Sequence, residues 1–198
     1  MSNAMLHGWP LPVGGWDGFT YDIKHLRPNL VGRLIKRCWP LVTLPVLGRL
    51  LHNVVSHEQI HNLIPTEGRN HIWDVTGHAG SQVTTWYVAL FEGNYTPVST
   101  DTAANFAANA TECTAYSEAT RQAWVEAAPS SGVITNAASM AVFTMNATKT
   151  LYGSALLSSS TKGSTSGVLL SIVRFSVSKP VVSGDVVQIS HPLTLTST

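Results

Sequence analysis

Residues 84–91 read Thr84-Thr85-Trp86-Tyr87-Val88-Ala89-Leu90-Phe91, an uncharged run of β-branched, aromatic and aliphatic side chains followed by the turn pair Gly93-Asn94. A short apolar run bounded by turn residues reads as a buried strand. The same texture returns at 112–117, 121–126, 133–137, 140–147, 151–158, 168–176 and 181–195. Turn signals separate these runs: Pro129-Ser130-Ser131-Gly132, Lys162-Gly163-Ser164, and Ser183-Gly184-Asp185, which splits the last run in two. Regular short strands of this kind predict a mainly β fold, with a jelly-roll or β-sandwich body. One stretch breaks the pattern: residues 100–109, with Asp101-Thr102 ahead of an Ala-rich run, predict a capped helix crossing the sheet. Residues 158–166 read as a long loop between strands.

The composition bounds the rest. A chain of 198 residues predicts one compact domain with an appendage, and 44% hydrophobic content excludes a disordered polymer. Charged residues make up 12%, where about 25% is usual. Ser and Thr carry the polarity instead, with 18 Ser and 17 Thr in residues 79–198, a surface suited to contact with other proteins. A formal net charge of +1 argues against nucleic acid as a partner, because duplex binding needs many phosphates neutralised. No basic stretch followed by an apolar core opens the chain, so no secretory signal is expected. The most apolar tract, 38–55, is broken by Pro40, Pro45, Gly48, Arg49 and His52, so no membrane partner is expected either. Cys38 and Cys113 form no disulfide framework and read as reduced thiols.

Upstream of the body the chain changes character, holding seven of its eight histidines and seven of its twelve basic residues in residues 1–78. Residues 1–19 carry Trp9, Pro10, Pro12, Trp16 and several glycines with no periodicity, and read as an extended arm. Helical spacing predicts helices over 29–39 and 45–63, and a third from an N-cap at Thr66 to about Gly77. The division expected is therefore an N-terminal arm with short helices, 1–62, and a β-sandwich domain, 63–198. Between Asp22 and Glu58 stand Lys24, Arg27, Arg33, Lys36, Arg37 and Arg49 with no acidic residue. Trp9 and Trp16, too large to bury in so short a segment, together with Arg27, Arg33, Lys36 and Arg37, are the candidate partner-binding residues, facing acidic surface on other chains. Docking of the tryptophans on the chain's own body, and simple solvation of the basic face, are the plain alternatives.

The one motif with enzymatic meaning is His57-Glu58-Gln59-Ile60-His61, which matches H-E-x-x-H. On a helix it would set two imidazoles on one face for zinc, with a carboxylate to activate bound water. Its third ligand is missing: Ile64 and Glu67 stand where an extended motif needs Gly and His, and Pro65 ends the predicted helix. His52, His71 and His78 extend the set to a conceivable non-catalytic metal site. No Gly-x-Ser-x-Gly elbow and no phosphate-binding Gly-Lys loop is present. The expectation is no catalytic residue, no metal and no cofactor.

Trp86-Tyr87-Val88-Ala89-Leu90-Phe91, Asn94-Tyr95-Thr96-Pro97, Glu112-Cys113-Thr114-Ala115-Tyr116, Thr120-Arg121-Gln122-Ala123-Trp124, Asn136 and Ser183-Gly184-Asp185 together resemble the small β-sandwich virion proteins of tailed bacteriophages. These are head decoration, cement or tail-fibre-like proteins, and the resemblance covers roughly residues 63–195. It implies a structural role in many copies on the virion. The reading is a capsid decoration or cement protein, a homo-oligomer (dimer or trimer) on the capsid surface whose arm engages the major capsid protein. A tail or head-fibre component facing a receptor is the alternative, and a zinc hydrolase the reading from another class.

Overall fold

The run at 86–91 is a strand with both faces covered: Val88, Ala89, Leu90 and Phe91 are all fully buried, which is why the sequence there does not alternate. The structure of the chain, a computed structural model, describes residues 20–28 and 52–194. In chain order the described elements are β1 (Thr20–Pro28), β2 (His52–His61), α1 (Thr66–Gly77), β3 (Trp86–Phe91), α2 (Ala103–Asn109), β4 (Glu112–Cys113), β5 (Gln122–Trp124), β6 (Val133–Ile134), β7 (Ala141–Thr144), β8 (Lys149–Leu157), β9 (Leu169–Val181), β10 (Val186–Ser190) and β11 (Leu193–Thr194). The fold is mainly β, and the strands pair antiparallel.

One sheet runs β2-β1-β10-β7; the other runs β4-β3-β8-β9, with β5 also on β3. The small pair β11-β6 stands apart. Two layers of core follow. Val88, Leu90, Leu156, Val173 and Phe175 of the second sheet meet Ala141, Phe143, Val187 and Ile189 of the first. On its other face the second sheet offers Ala89, Phe91, Ala155, Leu157 and Ile172 to Ala103, Phe106 and Ala110 from α2 and its end. The middle sheet thus lies between a sheet and a helix. Close packing needs small residues where backbones and rings approach. A Cβ at Gly153 of β8 would overlap the Phe91 ring and the Val173 carbonyl oxygen, and one at Gly68 of α1 would overlap the Leu170 carbonyl oxygen.

The turn before β10 takes the form its sequence predicts. Gly184 has φ +91°, and the Asp185 carboxylate accepts from Val182 N–H at 3.1 Å. α2 begins at Thr102, whose hydroxyl accepts from Asn105 N–H at 3.3 Å while Asn105 Oδ1 accepts from Thr102 N–H at 2.9 Å. The cap is Thr102; Asp101 instead holds the preceding loop, accepting from Tyr95 Oη at 2.6 Å and Val98 N–H at 2.9 Å. Burial, with the hydrogen bond and charge of Asp101 added to it, pushes the Tyr95 hydroxyl up to about 12, so it stays a donor.

Three expectations are corrected. The helix predicted over 45–63 is, from 52 to 61, the strand β2. It pairs with β1 from Thr20↔His61 to Pro28↔His52, and the bulge between His25 and Leu26 leaves Val55 as the extra residue. Adjacent Val54 and Val55 mimic helical spacing, but the long ladder with β1 decides the conformation. α1 does form, with Pro65 rather than Thr66 at the N-cap position and no side-chain cap. The run predicted over 112–117 pairs as a strand only at its first two residues. The helix expected over 29–39 and the extended arm over 1–19 lie outside the described residues.

Replacing Gly153 by Ala should cost about 1–3 kcal/mol or more through overpacking. Gly77→Ala, where a Cβ meets nothing within 4 Å, should shift stability by no more than about 1 kcal/mol. Urea unfolding midpoints of the two variants check this; equal midpoints would contradict the packing described.

Candidate functional site

Of the candidate partner-binding residues, Trp9, Trp16, Arg33, Lys36 and Arg37 lie outside the described residues. Arg27 is on β1, with its side chain 43% exposed and its Nε 3.5 Å from Asp185 Oδ1 in the turn before β10. The carboxylate it meets belongs to its own chain. Asp185 is fully buried, so this pair fastens β1 to the turn at its partner strand.

His57, Glu58 and His61 are on β2, not on a helix. Successive residues on a strand alternate between faces, which puts Glu58 opposite to both histidine positions, and four residues along a strand span about 13 Å. In register, His57 stands across from Lys24, Glu58 from Ile23 and His61 from Thr20. The helical face that the zinc reading requires is not there. His71 packs edge-on against Trp86 with ring centroids 5.5 Å apart, and His78 Nδ1 is 3.0 Å from Asp74 Oδ1. Among the described residues no group of three His, Cys, Asp or Glu is placed to hold a metal ion.

What the structure does gather is a set of buried polar anchors. β4 and β5 are two and three residues long and lie end to end along the same edge of β3, β5 beside Trp86 to Val88 and β4 beside Leu90 and Phe91. Glu112 of β4 and Arg121, just ahead of β5, join across that gap: Arg121 Nε donates to Oε1 at 2.8 Å and Nη2 to Oε2 at 2.7 Å, both side chains almost wholly buried. The spare donors of the guanidinium reach the carbonyls of Ser159 at 3.0 Å and Ser164 at 3.2 Å, and Gly163 N–H donates to Glu112 Oε2 at 2.9 Å. The Ser/Thr-rich loop 158–167 is thereby laid over the pair. Lys162 holds its outer side, 3.7 Å above the Tyr116 ring with Nζ donating to Tyr116 O at 3.0 Å.

Two further anchors join elements distant in sequence. Glu67 Oε2 accepts from Ala103 N–H at 2.8 Å and Leu169 N–H at 2.7 Å, joining α1 to the start of α2 and to β9. His191, fully buried, joins Asn62, Ser171, Trp124 and Asn136. The Cys113 thiol on β4 is buried in the core, and burial raises its pKa. The readings from sequence missed all three anchors. The signal for the first was available: in so uncharged a chain, a Glu and an Arg inside strand-like runs need a buried partner each.

The outer surface is short of charge. From Ala127 to Thr148 the chain carries none, and Ala127, Ala128, Pro129, Ala137 and Ala138 are exposed there. Trp73 on α1 is 63% exposed beside a shallow hollow lined by Ile64, Arg69 and Ile72. Among the described residues no helix is long and apolar enough to cross a membrane.

A mainly β body stapled internally and presenting a neutral surface fits a structural protein of a tailed-bacteriophage virion. Comparison with known families carries that identification further: the model of the family described as podophage GP4 fiber I protein gp80 matches residues 66–196, about two thirds of the chain. The chain belongs to that family. No curated protein and no solved structure matches it. The matched segment starts at the first residue of α1 and takes in every anchor described above except Asn62.

Removing one member of the buried pair strands the other. Arg121→Ala should cost about 3–5 kcal/mol, whereas replacing both residues with Leu and Met should cost less than the single change. Denaturant unfolding of the three proteins measures this, and a loss under about 1 kcal/mol in Arg121→Ala would show that the pair does not hold the β4–β5 edge.

Proposed function

We propose that the protein is a structural, non-catalytic component of a virion fibre. The family match over residues 66–196 carries the reading. The internal geometry supports it: three anchors join short strands, helices and a long loop into one body, as a part under mechanical load requires, and the one hydroxyl–imidazole contact among them, Ser171 Oγ with His191 Nε2 at 3.0 Å, is fully buried away from any substrate. The charge-poor surface supports many-copy association, because faces without charge lose little solvation on contact. A closed homo-oligomer, a dimer or trimer, follows from such faces and from strand edges that need covering. Ahead of the matched segment, residues 1–19 and 29–51 then serve attachment to other virion subunits, with Trp9, Trp16, Arg33, Lys36 and Arg37 as the anchors.

Electron microscopy of virions with the protein labelled at its C-terminus tests the station. Label along fibres is the expected result; label spread over the head shell would favour capsid decoration with the major capsid protein as partner. Elemental analysis tests the non-catalytic part: one zinc per chain, with a hydrolytic activity lost in Glu58→Gln, would overturn it.

A further inference from the structure

α1 turns one side to the body and leaves the other open. Gly68 backs onto the Leu170 carbonyl, His71 packs edge-on against Trp86, and Ile72 reaches the core between the sheets. Arg69, Trp73 and Thr76, spaced by four and three residues, share the outer side and are exposed. Trp73 is 63% exposed, and Ile64, Arg69 and Ile72 join it in lining a shallow hollow. Arg69 Nη2 donates to Thr66 Oγ1 at 3.0 Å, which holds the guanidinium at the rim. An indole left open beside two isoleucine side chains is apolar surface that a partner can cover.

The N-terminal arm starts from the same place. Thr20, the first residue of β1, stands across from His61 in register, and Ile64 follows His61 by three residues. The start of the arm and the hollow are therefore within about 15 Å of each other, counting about 5 Å across the ladder and about 3.5 Å per residue. As far as Trp16 the arm contains no Asp, Glu, Lys or Arg. Within it Trp9-Pro10-Leu11-Pro12-Val13 is apolar throughout, and its prolines fix φ at 10 and 12 and bias residues 9 and 11 towards extended backbone. A segment so restricted gives up little entropy on docking against an aromatic surface, and its unbonded carbonyls can accept from a guanidinium at the rim.

We propose that the hollow formed by Ile64, Ile72 and Trp73 receives residues 9–13 of a second copy of this chain. The inference rests on the reading that the arm attaches to other subunits, and it names one of them. A two-fold interface needs each surface to carry both halves of the contact, because what one subunit offers its partner must also accept. The base of the arm and the hollow, side by side, meet that requirement. From Thr20 back to Val13 the chain can extend about 25 Å, and back to Trp9 about 36 Å. That reach overshoots a hollow within about 15 Å and would have to fold back on itself in the same chain, whereas it suits the hollow of a facing subunit.

Disulfide trapping between differently tagged full-length chains reads the contact directly. One chain carries Gly8→Cys or Gly14→Cys, at either end of the docking segment, and the other carries Thr76→Cys, one turn beyond Trp73 on the exposed side of α1. Oxidation of the mixture should join the two tags, while either chain mixed with the unsubstituted protein should give no such product. Trp73→Ala and Trp9→Ala should each raise the dissociation constant of the oligomer by about tenfold or more in sedimentation equilibrium, and the double variant should be little worse than either alone. No disulfide between the tags, a disulfide formed only within a single chain carrying both cysteines, a monomeric protein, or association unchanged in Trp73→Ala would each overturn the inference. The fibre reading fails separately: it depends on where the label lies on virions, and the trapped disulfide does not.

Discussion

The arrangement of the second sheet depends on the bidentate contact between Glu112 and Arg121. Strands of two and three residues cannot hold an edge by their own ladders, since each contributes only a few hydrogen bonds against the entropy of ordering its backbone. The ion pair makes the two pieces behave as one edge. Its near-complete burial would be costly for either charge alone, but every strong direction on the pair is filled: the carboxylate accepts from the guanidinium twice and from Gly163 N–H, and the guanidinium also meets two carbonyls. The loop 158–167 supplies three of those partners if the Arg121 main-chain bond to Ser160 O at 2.8 Å is set aside. Its order thus depends on the pair as much as the edge does.

Glu67 and His191 repeat the device at other seams. In each case one polar group, buried or nearly so, accepts or donates across elements far apart in sequence, so each fixes relative position rather than local conformation. Buried polar networks that are fully satisfied specify a unique arrangement, whereas apolar contacts among Ala, Val and Leu tolerate sliding. This matters in a core as rich in small residues as the one between β3, β8 and α2, where Ala89, Ala103, Ala110, Gly153 and Ala155 present little shape to interlock.

The body was legible in the sequence where local chemistry decides conformation. The uncharged run at 86–91, Gly184 with its positive φ, and the cap ahead of the Ala-rich helix all carry their own signals within a few residues. What could not be read was pairing at a distance. Val54, Val55 and Ile60 sit as well on a helix as on a bulged strand, and only β1 decides between them. Whether Arg27 seeks a foreign carboxylate or Asp185 is likewise a question of which strand lies beside β1. His191 looked like any other histidine near the chain's end, because nothing local distinguishes a buried imidazole from an exposed one; its role comes from Asn62, Ser171, Trp124 and Asn136, none closer than 20 residues along the chain.

The family segment and the first sheet do not coincide, and the mismatch bears on how partners can approach. Of the sheet β2-β1-β10-β7, residues 66–196 contain only β7 and β10. Taken alone, that segment would present the long side of β10 as an open edge, the kind of surface that recruits a strand from another chain. Here the N-terminal segment closes it from within, Asp22 to Leu26 lying against Ser190 to Val186, with Arg27 reaching Asp185 at the end of the ladder. The opposite edge is blunted as well: Glu118 accepts from Thr144 N–H at 3.0 and 3.1 Å, and Ser117 N–H donates to Thr144 O at 2.8 Å. With β10 covered and β7 engaged, strand addition at either place would have to displace a bond already made.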